Sequence, residues 1–207
     1  MFITFEGGEG TGKSTQVKLL AERLRAQAKV VVTTREPGGT PEAEALRSLL
    51  VSGDTARWTA DEELLLNFAA RGSHLRNVIV PALRANNVVI CDRFVDSSFV
   101  YQCVAGGARR SLFTELVIAV ASEPTPNFTF ILDLEPQLAM SRAALRNGNQ
   151  TSDTRADRYE LKGPAFHHKV REGFVQLTKQ QPKRCHLVDA NGSPEDVASR
   201  IWVKFNG

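Results

Sequence analysis

The chain has 207 residues, 42% apolar and 24% charged, the proportions of one globular domain that can bury its own core. Its longest apolar runs, such as Val117–Ala121, fall far short of the ~20 residues a membrane span needs. The 26 basic and 23 acidic side chains leave a net charge of +3, which favours small anions but is too slight to imply nucleic acid. Phe2–Phe5 reaches Glu6 with no basic leader, and the three cysteines are odd in number and widely spaced, so a cytoplasmic protein with no secretory signal and no disulfide framework is expected.

In chain order, Phe2–Phe5 reads as a strand, and a helix follows from about Lys13 to Ala26 with Val17, Leu20, Ala21 and Leu24 on one face. Val30–Thr33 is the next strand, Glu42–Val51 a helix and Asp61–Arg84 a long helical region. The almost wholly apolar Asn87–Cys91 is a third strand, followed by helices at Ser97–Val104 and Leu112–Ala121. Phe128–Leu132 is a strand and Pro136–Leu145 a helix. Asn147–Asp157 is polar and rich in turn formers, which predicts a mobile surface loop. Helix Pro164–Gln180, strand Cys185–Val188 and helix Pro194–Phe205 complete the pattern. Five short buried strands separated by helices predict a parallel sheet covered on both faces, in a single domain over residues 1–207.

Gly7, Gly8, Glu9, Gly10, Thr11, Gly12, Lys13 and Ser14 match the phosphate-binding pattern of Gly, four residues, Gly-Lys-Ser/Thr, between a predicted strand and a predicted helix. Glycines let successive backbone N–H groups turn toward a polyphosphate, and the positive end of the following helix points the same way. Lys13 then faces the outer phosphates of the nucleotide, with Thr15 in the same turn. The Ser14 hydroxyl is a candidate ligand of Mg2+, which arrives with the nucleotide and prefers oxygen. Asp92 and Arg93 follow the third strand at the carboxyl end of the sheet, where Asp92 can assist the metal and the Arg93 fork suits a second phosphate. A guanine-nucleotide switch is excluded by the lack of Asn-Lys-x-Asp, a serine hydrolase by the lack of Gly-x-Ser-x-Gly, and no Cys/His spacing suggests a metal cage.

Together with Arg35-Glu36-Pro37-Gly38, with Phe68-Ala69-Ala70-Arg71 followed by His74, and with Asp92–Ser98 continuing to Tyr101-Gln102, these motifs resemble the thymidylate kinases. The likeness covers nearly the whole chain and implies a P-loop nucleoside monophosphate kinase with a lid, moving a phosphoryl group from ATP to dTMP. It implies that Phe68 stacks on thymine, that Arg71 donates to a base carbonyl, and that Ser98 and Gln102 read the base edge. Tyr101 crowds the 2′ position, Glu9 accepts from the 3′-hydroxyl, and Arg93 holds the acceptor phosphate, with Arg35, Pro37 and Ser97 in the same site. The family lid corresponds to about residues 146–160, closed by Asp157-Arg158-Tyr159-Glu160. Arg146 is expected at the transferring phosphoryl, with Arg142 and Arg158 in support and Arg155 nearby. Ten residues separate Arg146 from Asp157, more than the link in common bacterial members. The resemblance also implies a homodimer through long helices such as Asp61–Arg84, and places the adenine near Asp189–Pro194. A deoxynucleoside kinase would typically carry Glu-Arg-Ser where this chain has Asp92-Arg93-Phe94. A non-catalytic ATP-binding regulator would account for Gly7–Ser14 but not for Phe68, Arg71 and Tyr101 together.

Overall fold

The computed structural model describes residues 1–148 and 158–206, without the side chains of Arg146 and Asn147. Strands β1 (Phe2–Gly7), β2 (Val31–Arg35), β3 (Val88–Asp92), β4 (Phe128–Asp133) and β5 (Cys185–Asp189) form the expected five-stranded sheet, ordered β2-β3-β1-β4-β5 and parallel throughout. β1 and β2 extend two residues beyond their apolar runs because ladder pairing continues, Gly7 opposite Leu132 and Arg35 opposite Asp92.

All six residues of β1 are buried, as a parallel strand covered on both faces requires. Alternation then sorts the side chains. Ile3, Phe5, Ile90, Phe130, Leu132 and Val188 face α1 (Lys13–Ala26) and α9 (Pro194–Asn206), where Val17, Leu20, Leu24, Val197 and Ile201 meet them. Phe2, Val89 and Cys91 face the opposite layer, against Leu64 of α3 (Ala60–His74) and against Leu75 and Ile79 beyond it. Ile131 packs under Val170, Phe174 and Leu177 of α8 (Pro164–Gln180). Each such side chain contributes about 1.5–3 kcal/mol of burial. The buried polar pair Thr4 and Thr129 lies in register on β1 and β4, with hydroxyl oxygens 2.8 Å apart.

Helix starts follow local chemistry. Thr40 caps α2 (Pro41–Val51) by accepting from the Ala43 N–H, with Pro41 in the first turn, and Thr59 with Glu62 forms a capping box on α3. The region predicted as one helix from Asp61 to Arg84 is helical but not uniform: a π-helical turn, Leu75–Ile79, joins α3 to α4 (Val80–Arg84). Pro81 has no N–H and its ring crowds the carbonyl four residues earlier, so the turn before it widens. The next predicted helix begins earlier than Ser97, as α5 (Val95–Ser98), and runs into π-helical Phe99–Ala105. α6 (Arg110–Val120) and α7 (Pro136–Gly148) complete the helical layers.

From β1 the chain first fills one side of the sheet, then crosses to β4 on the other. The crevice at such a switch lies beyond the carboxyl end of β1. Register does the rest: Phe5 opposite Asp92 sets the residues after β3 beside the glycine turn after β1.

Candidate active site

The glycine turn ends at Gly12, which has φ +91° and supplies no side-chain cap, so the first N–H groups of α1 remain available to an anion. Gly10 has φ +71°, and a Cβ there would lie 1.9 Å from the Ala139 carbonyl oxygen of α7. Lys13 curls back over the turn, its ammonium donating to the carbonyls of Gly7 (3.2 Å) and Gly8 (2.7 Å). Burial lowers its pKa to about 8, Arg93 adding to the effect while Glu9 and Asp92 oppose it. Ser14 and Thr15 are exposed on the first turn of α1, and the Ser14 hydroxyl donates to Asp92 at 2.7 Å. A hydroxyl and a carboxylate side by side are hard oxygen donors of the kind Mg2+ takes when phosphates and water fill its remaining positions. Among the described residues no cluster of three His, Cys, Asp or Glu side chains forms a cage of its own.

Arg93 leaves β3 at φ +71°, an uncommon conformation for a non-glycine residue, and its N–H donates to the Phe5 carbonyl. Its guanidinium donates to the Gly7 carbonyl, to Ser97, to Glu9 and to Tyr101 (2.9, 3.2, 2.5 and 3.1 Å). Burial works against its charge, but Glu9, Tyr101 and Asp92 outweigh that and raise its pKa above the ordinary value. Burial likewise pushes the Tyr101 phenol well up, so it stays a donor, and it donates to Glu9 at 3.1 Å. Beneath them Glu6, wholly buried, accepts from the Phe94 N–H and from the Ser97 hydroxyl. Burial, with Asp96 adding to it, raises the pKa of Glu6 to about 8.

Beside this cluster opens a cleft of about 550 Å³. It gathers Glu9, Pro37, Arg71, Arg93, Ser97, Ser98, Tyr101 and Gln102, all expected from the sequence, together with Asn67, Arg47, Phe94 and Tyr159, which were not. Arg71, 2% exposed, pairs with Glu36 at 2.7 Å and donates to Ser98 and the Phe94 carbonyl, which leaves its Nη1 buried without a partner. Glu36 also bonds His74, whose other ring nitrogen bonds Thr34.

Two expected site residues are buried. Phe68 sits in the apolar layer behind the cleft lining, edge-on to Phe113 at 5.9 Å and with the Arg71 guanidinium of the cleft wall 4.6 Å from its ring. Arg158 is not a free cation for a phosphoryl group. It is fully buried, donating to the carbonyls of Leu50 and Thr55 and to Glu63 at 2.9, 3.0 and 2.6 Å. Arg35 also stands apart from the cleft lining, exposed and paired with Glu44. Arg142 turns to the loop after β5, 3.2 Å from the Ala190 carbonyl, and so borders the Asp189–Pro194 segment. Most of the expected lid, with Arg155, Asp157 and the side chain of Arg146, lies outside the described residues.

A model of the thymidylate kinase family matches residues 5–201. The chain is 46% identical over 202 residues to a thymidylate kinase of Rhodopseudomonas palustris, covering 97% of this chain and 86% of the relative. With a thymidylate kinase of Caulobacter vibrioides it shares 45% identity over 200 residues, covering 97% and 93%. Among solved structures, the crystal structure of thymidylate kinase from Ehrlichia chaffeensis matches with a TM-score of 0.76 at 33% identity, over all of this chain and 98% of that one.

Proposed function

The chain belongs to the thymidylate kinase family, and on that premise we propose how its residues transfer a phosphoryl group from ATP to dTMP, giving dTDP and ADP. The observation that carries the reading is that the glycine turn and the cleft share an edge, where Glu9 of the turn accepts from both Arg93 and Tyr101 of the cleft. A triphosphate on residues 7–15 and a monophosphate at Arg93 then meet across that edge.

The acceptor phosphate is largely a dianion at neutral pH, since its second pKa is about 6, so the protein needs no general base. What it must supply is alignment and neutralising charge. Lys13 and the first turn of α1 hold the donor phosphates, and Arg93 holds the acceptor phosphate. Arg71, with its spare donor, and Gln102 and Ser98 hold the base. Tyr101 closes the 2′ side of the sugar, and Glu9 takes the 3′-hydroxyl. Pro37 and Ser97 shape the walls. Ser14 and Asp92 would hold Mg2+, which would neutralise phosphate charge. Arg142 serves the ATP side, next to the Asp189–Pro194 segment proposed for adenine.

Product analysis after incubation with ATP, Mg2+ and dTMP, and in parallel with thymidine, dUMP or no acceptor, tests this reading. dTDP should form from dTMP, with no product from thymidine. A protein that phosphorylates thymidine and leaves dTMP untouched is a nucleoside kinase, and hydrolysis or binding of ATP alone points to a regulator.

The chain is also proposed to act as a homodimer through α3 and α6. Leu65 is 48% and Ile118 69% exposed, and Leu65, Leu116 and Val120 line a surface groove between the two helices. Among the described residues no helix is long and apolar enough to cross a membrane. The three cysteines are free and buried, which supports a reducing, cytoplasmic setting.

A further inference from the structure

Glu63 on α3 is 2% exposed, lies outside the cleft lining and has no part in the phosphate chemistry, yet it is the hub of a buried polar cluster behind the cleft wall. Its Oε1 accepts from Arg158 at 2.6 Å, with the Lys162 ammonium 3.6 Å away. Its Oε2 accepts from the Tyr159 hydroxyl and from the Gln102 amide nitrogen, both at 3.0 Å. The same amide nitrogen donates to the Tyr159 oxygen at 3.3 Å. The two acceptors lie side by side, so the Gln102 amide nitrogen is held against both from one direction. A carboxylate can only accept, so the reverse orientation would set the amide oxygen against it. The side-chain oxygen of Gln102, Oε1, makes no hydrogen bond among the described residues and is not among the sealed unpartnered atoms, so it is left to the cleft that Gln102 lines.

We propose that Glu63 is the positioning residue for base selectivity: with Tyr159 it locks the Gln102 amide so that the cleft presents one acceptor, Gln102 Oε1, alongside one donor, Arg71 Nη1. The inference rests on the reading of the cleft as the dTMP site. An acceptor next to a donor complements the imide edge of a 4-oxo pyrimidine, whose N3–H donates and whose O4 accepts. A 4-amino pyrimidine has both roles reversed and meets two mismatches. Arg158, tied to the same carboxylate, joins the segment that follows the expected lid to the group that orients the base-reading amide.

The test replaces Glu63→Gln, whose amide can donate or accept and so releases Gln102 to turn. In steady-state assays with ATP, the KM for dTMP should rise about tenfold while kcat at saturation stays within about twofold. The ratio of dCMP inhibition constant to dTMP KM should shrink by a similar factor. The double variant Glu63→Gln with Gln102→Met should lose no more selectivity than Gln102→Met alone. Parallel weakening of dTMP and dCMP, or a fall in kcat at constant KM, overturns the proposal and leaves Glu63 a structural hub. If Glu63→Gln does not fold, Tyr159→Phe keeps the Arg158–Glu63 pair and should reduce the ratio about threefold; an unchanged ratio there also overturns it. Wild-type protein that does not phosphorylate dTMP removes the underlying reading, whereas wild-type turnover with unaltered selectivity in the variants removes only this inference.

Discussion

Lys13 and Arg93 donate to the same atom, the carbonyl oxygen of Gly7, at 3.2 and 2.9 Å. Eighty residues apart in sequence, two cations are thereby held against one dipole at the end of β1. Their repulsion contributes to the low pKa of Lys13, and phosphates bound as proposed would relieve it.

ATP binding should therefore weaken at alkaline pH earlier than an ordinary lysine would allow. With the Lys13 pKa near 8, the dissociation constant measured by calorimetry should rise toward tenfold per pH unit between about pH 8 and 9.5. The native state sheds this proton before the unfolded chain does, so the Lys13 contribution to stability grows from pH 8 toward its ordinary pKa of 10.5. In Arg93→Met, where one lowering influence is gone, the loss of ATP affinity should move to higher pH. A flat profile in the wild type would contradict the assignment.

Arg93 couples strain to function. Both Arg93→Ala and Arg93→Gly should lower turnover by about 10²–10³-fold or more, because on the proposed reading the acceptor phosphate would lose its fork of donors. Their stabilities should differ: at φ +71° glycine is unstrained, so the Gly variant should be about 1 kcal/mol more stable than the Ala variant in urea unfolding. Equal stabilities would argue against strain at this position.

Arginines 142 and 158 should separate cleanly. Arg158→Ala leaves Glu63 buried without its main counter-charge and should cost about 3–5 kcal/mol of stability, read as a large drop in Tm. Arg142→Ala should change stability by less than about 1 kcal/mol and raise the KM for ATP. Similar stability losses would mean that the burial of Arg158 carries no special weight.

Glu6 should make the fold more stable in mild acid than in base. Its pKa rises from 4.5 to about 8, mainly by burial, so the native state keeps a proton that the unfolded chain releases. The stabilisation is complete below pH 4.5 and is lost as pH climbs through about 8. Unfolding free energy followed from pH 5 to 8 should decline in the wild type and decline less in Glu6→Gln. A decline of the same steepness in both would place the titration elsewhere.

The phosphate turn was readable because its requirements are local: glycines, a lysine and a serine between an apolar strand and an amphipathic helix. The sheet was readable because parallel strands must be apolar on both faces. The burial of Phe68 behind Arg71 was not legible, because a helical aromatic reads alike in sequence whether it packs in the core or backs a cleft. Arg158 reads in sequence as a support for the transferring phosphoryl; its partner Glu63 lies 95 positions earlier, and nothing local announces the pairing. Glu6 did leave a signal, an acid closing a strand with no exposed residue, which sequence reasoning passed over. The side chain of Glu63 left none beyond its place in the first turn of α3, where acids are common for dipole reasons.

The touching backbones of residue 10 and Ala139 have a mechanical corollary. With no side chain to act as a spacer, the phosphate turn bears directly on the opening turns of α7, and a push on either is delivered to the other. A single methyl group at residue 10 would work as a wedge, prying away the helix that carries Arg142, and the damage would surface at the adenine end of the nucleotide as well as at its phosphates.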